Sequence, residues 1–492
     1  MLRSTAFRAT ARAHGLRVYA RALACTSRRE LQVGCSASTV SQHRPYVAPA
    51  SNAITPIEKI LLDTIKATGP ISFGTYMQMC LSHPTEGYYM KSTQQVFGEK
   101  GDFTTSPEIS QVFGELVGVW LLSQWLYAGS SRRLRLVELG PGRGTLMHDI
   151  LRVLSQFSAA REAIESIHLV ENSPNMRQRQ DELLSPLAFK HNWDLQWHAS
   201  VDEVPHDPTR FTLLVAHEFF DALPFNLIQK TQGGWKEVMI APAESAQPSS
   251  LNPTSLNVDT TLNPSRNPVA SPAESASRFR RVLSSIPTAS STLLGLSSAR
   301  FKDLPAGSLV EISPTAFKIA RKVGELMHGA GHKAESSAGS ALIVDYGGEK
   351  AFGNSFRVRA SHHCEASAAA NVSCLCRQAF KEHKIVDVFH RPGECDLTVN
   401  VDFAYLKEAL AGVATPLGPL TQETFLTRMG IAARVDALRR SASSEQRAAE
   451  IEKAANRLVD KTGMGSQYQV MGVVSARADE SSVRAEERWP FI

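Results

Sequence analysis

The stretch VELGPGRGTL, residues 137–146, sets glycines at alternate positions, Gly140, Gly142 and Gly144, directly behind the apolar run LRLVEL. Such a run reads as a buried strand, and the apolar spacing of TLMHDILRV reads as a helix beginning near Thr145. A strand, a glycine turn and a helix bring several backbone N–H groups and a helix N-terminus to one point, which suits a negatively charged ligand group. A tight turn of this kind also occurs with no ligand at all, so the neighbouring residues have to decide.

Outward from the loop, the chain from Leu134 alternates short apolar runs with helical patterns, predicting an α/β fold with a doubly wound sheet. The second strand is SIHLVE, ending at Glu171, with a helix opened by Ser173-Pro174; LQWHA and FTLLVAHEFFDALP are the third and fourth, and KEVMI, ALIVDYG, CDLTVNVDF and SQYQVMGVV are later strands. Ligands of open α/β sheets bind at the carboxyl ends of strands. Glu171 is placed there to accept hydrogen bonds from two ribose hydroxyls, a need common to NAD and S-adenosylmethionine. Only the glycine spacing separates the two cofactors. In the dinucleotide fingerprint G-x-G-x-x-G the third glycine permits close helix packing, and counted from Gly140 that position is Thr145. The run is instead G-x-G-x-G with Glu138 two residues upstream, which resembles motif I of the class I methyltransferases that use S-adenosylmethionine. The methionine carboxylate would then face the loop.

AHEFFDALP, residues 216–224, crowds Glu218 and Asp221 beside two phenylalanines at the end of the fourth strand. Carboxylates pair with guanidinium or ammonium while rings pack the flat face, so the pattern suggests a cationic substrate group. The plainer alternative is an acidic turn with core phenylalanines. His217 is a candidate late proton acceptor or a structural strand-end histidine. Asp102, in GDFTT, reads by itself as part of a capped helix start.

Residues 54–128 read as a mostly helical entry region. Thr55-Pro56-Ile57-Glu58 has the form of a capping box, Gly69-Pro70 stops that helix, and a short helix spans Phe73 to Leu81. In the third helix Ser106 caps, Pro107 takes the first helical position, and Val112, Phe113, Leu116, Val117 and Trp120 line a buried side. The methyltransferase-like part extends over 131–475. Two segments interrupt it: 241–277, rich in Pro, Ser, Asn and Thr and read as a disordered insertion, and 358–378, an irregular insertion without strand or helix period. Residues 476–492 read as a C-terminal tail.

The formal net charge of +5 conceals a division. Residues 1–44 hold eight arginines, no lysine and one acid, Glu30, so the remainder is slightly acidic and implies no nucleic-acid surface. An Arg-rich, acid-poor terminus predicts a mitochondrial presequence, with a matrix-protease site after Tyr19. Seven scattered cysteines argue against a disulfide framework and fit a reducing compartment. No apolar run reaches the ~20 residues of a membrane span, so stable membrane insertion is not expected. His362-His363-Cys364 with Cys374 and Cys376 has no familiar four-ligand spacing, so no metal is assigned.

Taken in order, VELGPGRGTLMHDILRV, GDFTTSPEISQVFGELVGVW, AHEFFDALP, ALIVDYG and DLTVNVDFAYL resemble the mitochondrial complex I assembly-factor family of protein arginine methyltransferases, also called MidA-like. The resemblance covers about 54–475 apart from the insertions. It implies a class I methyltransferase fold, S-adenosyl-L-methionine as donor, and symmetric dimethylation of an arginine in a core subunit of respiratory complex I. Carried over, Glu138, Gly140, Gly142 and Gly144 shape the donor pocket with Glu171 at its ribose, Glu218 and Asp221 lie at the acceptor side, Asp102 closes over the site, and Asp345 ends a strand nearby. Two departures stand out: well-studied arginine methyltransferases carry two glutamates on a longer hairpin, whereas here the pair is three residues apart, and about twenty residues are added after Arg357. A chaperone that keeps the fold and acts only by binding its partner is the alternative, and the intact glycines speak against it.

Overall fold

The computed structural model describes residues 53–91, 105–243, 277–327, 339–359, 385–475 and 485–492. The presequence, Asp102, the His362 to Cys376 group and nearly all of both insertions lie outside the described residues.

The apolar runs after Leu134 form a central sheet: β1 Leu134–Leu139, β2 Ile164–Val170, β3 Asp194–His198, β4 Phe211–His217, β5 Gly339–Gly348, β6 Ala414–Thr421 and β7 Tyr468–Ser475. Their order is β6-β7-β5-β4-β1-β2-β3, and a two-residue strand, Val401–Asp402, pairs with the end of β5. From β3 to β5 neighbours run parallel, whereas β7 is antiparallel to both β5 and β6. A dinucleotide sheet continues past its fifth strand with a parallel sixth. Here the reversed β7 occupies that place, in keeping with the methyltransferase fold that the motifs imply. The strand order reverses between β1 and β4, so the crevice of the sheet opens between the glycine loop and AHEFFDALP.

Both faces of the sheet are covered. Leu134 and Leu136 enter one core and Val137 and Leu139 the other, as a period of two requires. The first face is roofed by helices Gln111–Tyr127 and Thr145–Leu154. These two pack closely because Gly114 and Gly118 lie one turn apart: a Cβ at Gly114 would stand 2.6 Å from the Asp149 Cβ, and one at Gly118 3.2 Å from the Ile150 Cα. An ion network joins them beneath the surface. Arg434 Nε lies 2.6 Å from Glu115 Oε2, Arg152 reaches Glu115 at 2.8 Å and Asp149 at 2.9 Å, and neither Glu115 nor Arg434 is more than 2% exposed.

The first entry helix, Pro56–Thr68, has the capping box and ends at Gly69, and the next spans Phe73–Ser82. The third differs from expectation. Thr105 stands at its cap position, Ser106 and Pro107 are both inside it, and it ends after one turn at Ile109. Ser110 (φ −157°) breaks it and caps Gln111–Tyr127 with its hydroxyl, while the Ser106 hydroxyl donates to Gln422 instead. The long helix is also buried on nearly every side, because the sheet, Thr145–Leu154 and the C-terminal segment all pack on it.

KEVMI is a strand of a different sheet. Gly234–Pro242 belongs to an antiparallel sheet with Ile71–Ser72, Asn226–Thr231, Phe279–Leu283 and Leu309–Ile312, packed on the first two entry helices. The chain leaves this sheet at Ala243 and returns at Arg278, whose carbonyl accepts the Ala243 N–H at 2.7 Å. CDLTVNVDF is split: Asp396–Thr398 pairs with Arg357–Arg359 in a third small sheet, and Val401–Asp402 pairs with β5. Arg359 pairs with Ile385, so the added segment also departs and returns at one sheet edge. The end of the chain docks as well. Trp120 and Gln124 donate to the carbonyls of Trp489 and Glu487, and Arg428 donates to those of Pro490 and Ile492.

Candidate active site

A cleft of about 390 Å³ lies at the carboxyl ends of β1, β2 and β4, where the strand order reverses. Its floor is the glycine loop. Gly140, Gly142 and Gly144 have φ of 64°, 53° and 86°, a left-handed backbone that other residues adopt only with strain. A Cβ on Gly140 would stand 2.8 Å from the Phe219 ring, so that glycine is needed for space as well. Gly140 and Gly142 line the cleft; Gly144 lies behind, at the start of helix Thr145–Leu154 and facing Gln180 and Leu184 of the neighbouring helix Pro174–His191.

Glu138, inside β1, is 2% exposed and faces the cleft. Burial pushes its carboxyl up to about 8, against the opposing pull of the Met147 amide. Glu171 follows β2 directly. One of its oxygens accepts the Ser173 N–H at 2.8 Å and the other the Gln180 side-chain amide at 3.2 Å; burial raises its pKa, and these bonds oppose the rise. Gln180 also donates to the Gly142 carbonyl at 2.7 Å and accepts from Trp197 at 2.9 Å, so one amide ties the glycine loop to Glu171.

Across the cleft, β4 ends at His217 and the chain turns through Glu218, whose φ of 49° is unusual for a residue with a side chain. Asp345 holds that turn: Oδ2 accepts the Phe220 and Asp221 N–H groups at 2.9 and 3.2 Å, and Oδ1 accepts that of Tyr346 at 2.8 Å. Burial, and then the charge of Glu218, raise the pKa of Asp345. The Glu218 carboxylate accepts the Tyr468 hydroxyl, which shares a 2.5 Å hydrogen bond with the hydroxyl of Tyr346. A phenol has one proton, so with the Tyr468 proton on Glu218 it is Tyr346 that donates to Tyr468. Glu218 and Asp221 both line the cleft. His217 lies 3.9 Å from Glu218, but burial pushes its pKa down to about 3, so it is neutral and a poor proton acceptor.

Asp102 is outside the described residues, although Met90 and Thr105, on either side of that gap, line the cleft. Several lining or supporting residues escaped the sequence reading. Glu108 accepts the Thr145 hydroxyl at 2.6 Å and lies 3.6 Å from Arg143, fastening the entry region to the glycine loop. Tyr89, Asp396 and Thr398 also line the cleft. For Glu108, Tyr346, Asp396 and Thr398 the signal lay inside stretches already singled out, and Tyr468 lay in SQYQVMGVV, read only as a strand; Tyr89 and Gln180 had none.

Residues 116–420 match a family model described as "Putative S-adenosyl-L-methionine-dependent methyltransferase". The chain is 36% identical over 436 residues to zebrafish (Danio rerio) protein arginine methyltransferase NDUFAF7, mitochondrial, covering 85% of this chain and 87% of that one. It belongs to this methyltransferase family. The human (Homo sapiens) protein of the same name is 32% identical over 443 residues, with 87% and 85% of the two chains covered. A Burkholderia thailandensis protein crystallised with S-adenosyl-homocysteine shares the fold, with a TM-score of 0.62, 23% identity and 86% and 92% coverage.

S-adenosylmethionine is accordingly the cofactor of this chain. The methyltransferase cleft fits such a group on its own evidence. Six buried side-chain atoms among the described residues lack a hydrogen-bond partner, and four of them, on Glu138, Ser173, His217 and Thr398, belong to residues that line this one cleft. Buried polar atoms are rarely left unpaired; those of Glu138 and Ser173, on the elements that carry the glycine loop and follow Glu171, mark a surface built to be covered by a polar cofactor.

Proposed function

We infer that this enzyme transfers the methyl group of S-adenosylmethionine to an arginine of a core subunit of complex I in the mitochondrial matrix, producing symmetric dimethylarginine. The observation that carries the reading is the pairing of a buried Asp221 with a partly exposed Glu218 on one turn, opposite the glycine loop across a single cleft. The names of the NDUFAF7 relatives, which include both arginine methylation and mitochondria, support it.

The cofactor supplies a methyl group on a sulfonium, an electrophile that needs no further activation. The chain's own residues must bind and align. In this reading the unpaired oxygen of Glu138 receives the cofactor's amino group, the loop N–H groups its carboxylate, and Glu171 its ribose. Arginine is a poor nucleophile because its charge is delocalised over three nitrogens and its pKa exceeds ~12. Glu218 and Asp221 would draw that charge toward two nitrogens and leave the third as the nucleophile. The proton released passes to one of these carboxylates, since His217 is too weak a base.

The test is incubation of the purified protein with methyl-labelled S-adenosylmethionine and a recombinant core complex I subunit, followed by amino-acid analysis. Label should appear in symmetric dimethylarginine and be lost in a folded Glu218→Gln variant. Tight cofactor binding with no label on any arginine would point instead to a partner-binding assembly protein.

A further inference from the structure

One wall of the cleft comes from neither the glycine loop nor the Glu218 turn. Strand Asp396–Thr398 turns Leu397 into the core of the entry helices, and the period of two puts its flanking side chains, Asp396 and Thr398, on the opposite face, where both line the cleft. The strand is stitched to the acceptor turn by the Val399 N–H, which donates to the Asp221 carbonyl at 3.0 Å. Asp396 is 3% exposed and its Oδ1 accepts the hydroxyl of Tyr89, itself a lining residue, at 2.7 Å. The acidity of Tyr89 is suppressed by burial first, then by the charges of Asp396, Asp221 and Glu218. Three carboxylates therefore line the same cleft as this phenol. Thr398 is equally buried, and its hydroxyl has no partner. That hydroxyl carries a cost in free energy until something in the cleft meets it.

We propose that Asp396 and Thr398 form the second half of the acceptor site, receiving the N–H groups of the substrate guanidinium that Glu218 and Asp221 do not reach. This rests on the arginine reading above. A guanidinium presents five N–H donors in one plane, on edges that face apart, so acceptors on a single turn leave donors bare. Acceptors on two walls engage both edges and hold the plane across the cleft. A lysine ammonium presents three donors around one nitrogen and fills fewer of these acceptors, so the added wall favours arginine over lysine. Tyr89 acts as a positioning residue, fixing the Asp396 carboxylate.

Asp396→Asn and Thr398→Val in the full chain test this, with S-adenosylmethionine affinity measured by calorimetric titration and methyl transfer followed over a range of acceptor concentration. Loss of a charge-assisted contact made to the bound substrate should raise acceptor KM about tenfold or more in Asp396→Asn, and by less in Thr398→Val. Cofactor affinity should stay at the wild-type value, which also reports that the fold is intact; should it fall in both variants, the wall serves the donor side and the proposal is overturned. Wild-type KM and kcat in both, with arginine still methylated, would overturn this proposal alone. A wild-type enzyme that methylates no arginine would instead overturn the reading beneath it.

Discussion

The hydroxyl of Tyr468 donates a hydrogen bond to Oε1 of Glu218, a residue 250 positions earlier in the chain. The donor comes from the reversed strand β7 and the acceptor from the turn after β4, with Tyr346 of β5 between them, so the acidic turn is oriented by the far half of the sheet. Burial, and then the charge of Glu218, raise the pKa of Tyr468, and it remains a donor throughout the neutral range.

Tyr468→Phe removes that donor together with the acceptor of the Tyr346 hydroxyl. A hydrogen bond to a charged group contributes about 1.5–3 kcal/mol, so methyl transfer should fall about 10- to 100-fold. Cofactor affinity by titration should not change. Equal losses in both would mean that Tyr468 supports the fold and not the carboxylate.

Cofactor binding should be linked to proton release. Glu138 is largely protonated below about 8 in the free protein, and the cofactor's ammonium favours its ionised form. Affinity should therefore rise with pH from about 6 to 7.5, and calorimetry in buffers of different ionisation enthalpy should show a proton released near pH 7. Glu138→Gln should bind more weakly and release none. The sign for stability is opposite: a carboxyl raised in the folded state contributes stability that is full below its unfolded pKa and is lost as pH rises through about 8. The free protein should melt at a lower temperature at pH 8.5 than at pH 6.5, by a smaller margin in Glu138→Gln.

Gly140→Ala meets two obstacles, the left-handed φ of 64° and the Phe219 ring 2.8 Å from the new Cβ. The backbone term alone costs about 1–2 kcal/mol. Binding of S-adenosylmethionine should weaken by at least about tenfold while the far-ultraviolet circular dichroism is retained. Unchanged affinity would show that the loop does not approach the ligand.

The Arg434–Glu115 pair carries no chemistry but should matter for folding. Arg434→Ala leaves Glu115 with Arg152 as its remaining ionic partner in the described network, and breaking a buried pair costs about 3–5 kcal/mol. The urea midpoint should drop accordingly. A shift below about 1 kcal/mol would mean that water or Arg152 compensates fully.

Much of the candidate site's layout was legible because its signals are local. Gly140, Gly142 and Glu138 belong to one short strand and its turn, and Glu218 and Asp221 to another, so residue type and spacing were enough to place them at strand ends. The prediction of one capped helix from Ser106 missed a break at Ser110, since a serine can cap a new helix as readily as continue an old one. Strand β6 went unread because Pro416 and Pro419 argue against a strand; it lies at the sheet edge with an irregularity between Leu417 and Leu420, where proline is tolerated.

The sequence by itself determined the alternating fold class, the bare turn behind β1 and the acids behind β4, each specified by contacts within a few residues. Tertiary structure alone decided that β7 runs backward between β5 and β6, that Gln180 joins the loop to Glu171, that Tyr468 reaches Glu218 and that Asp396 lines the same cleft. Those pairings span up to hundreds of residues, and no local periodicity records them. They exist because the sheet closes a core on both faces and brings distant strand ends to one edge.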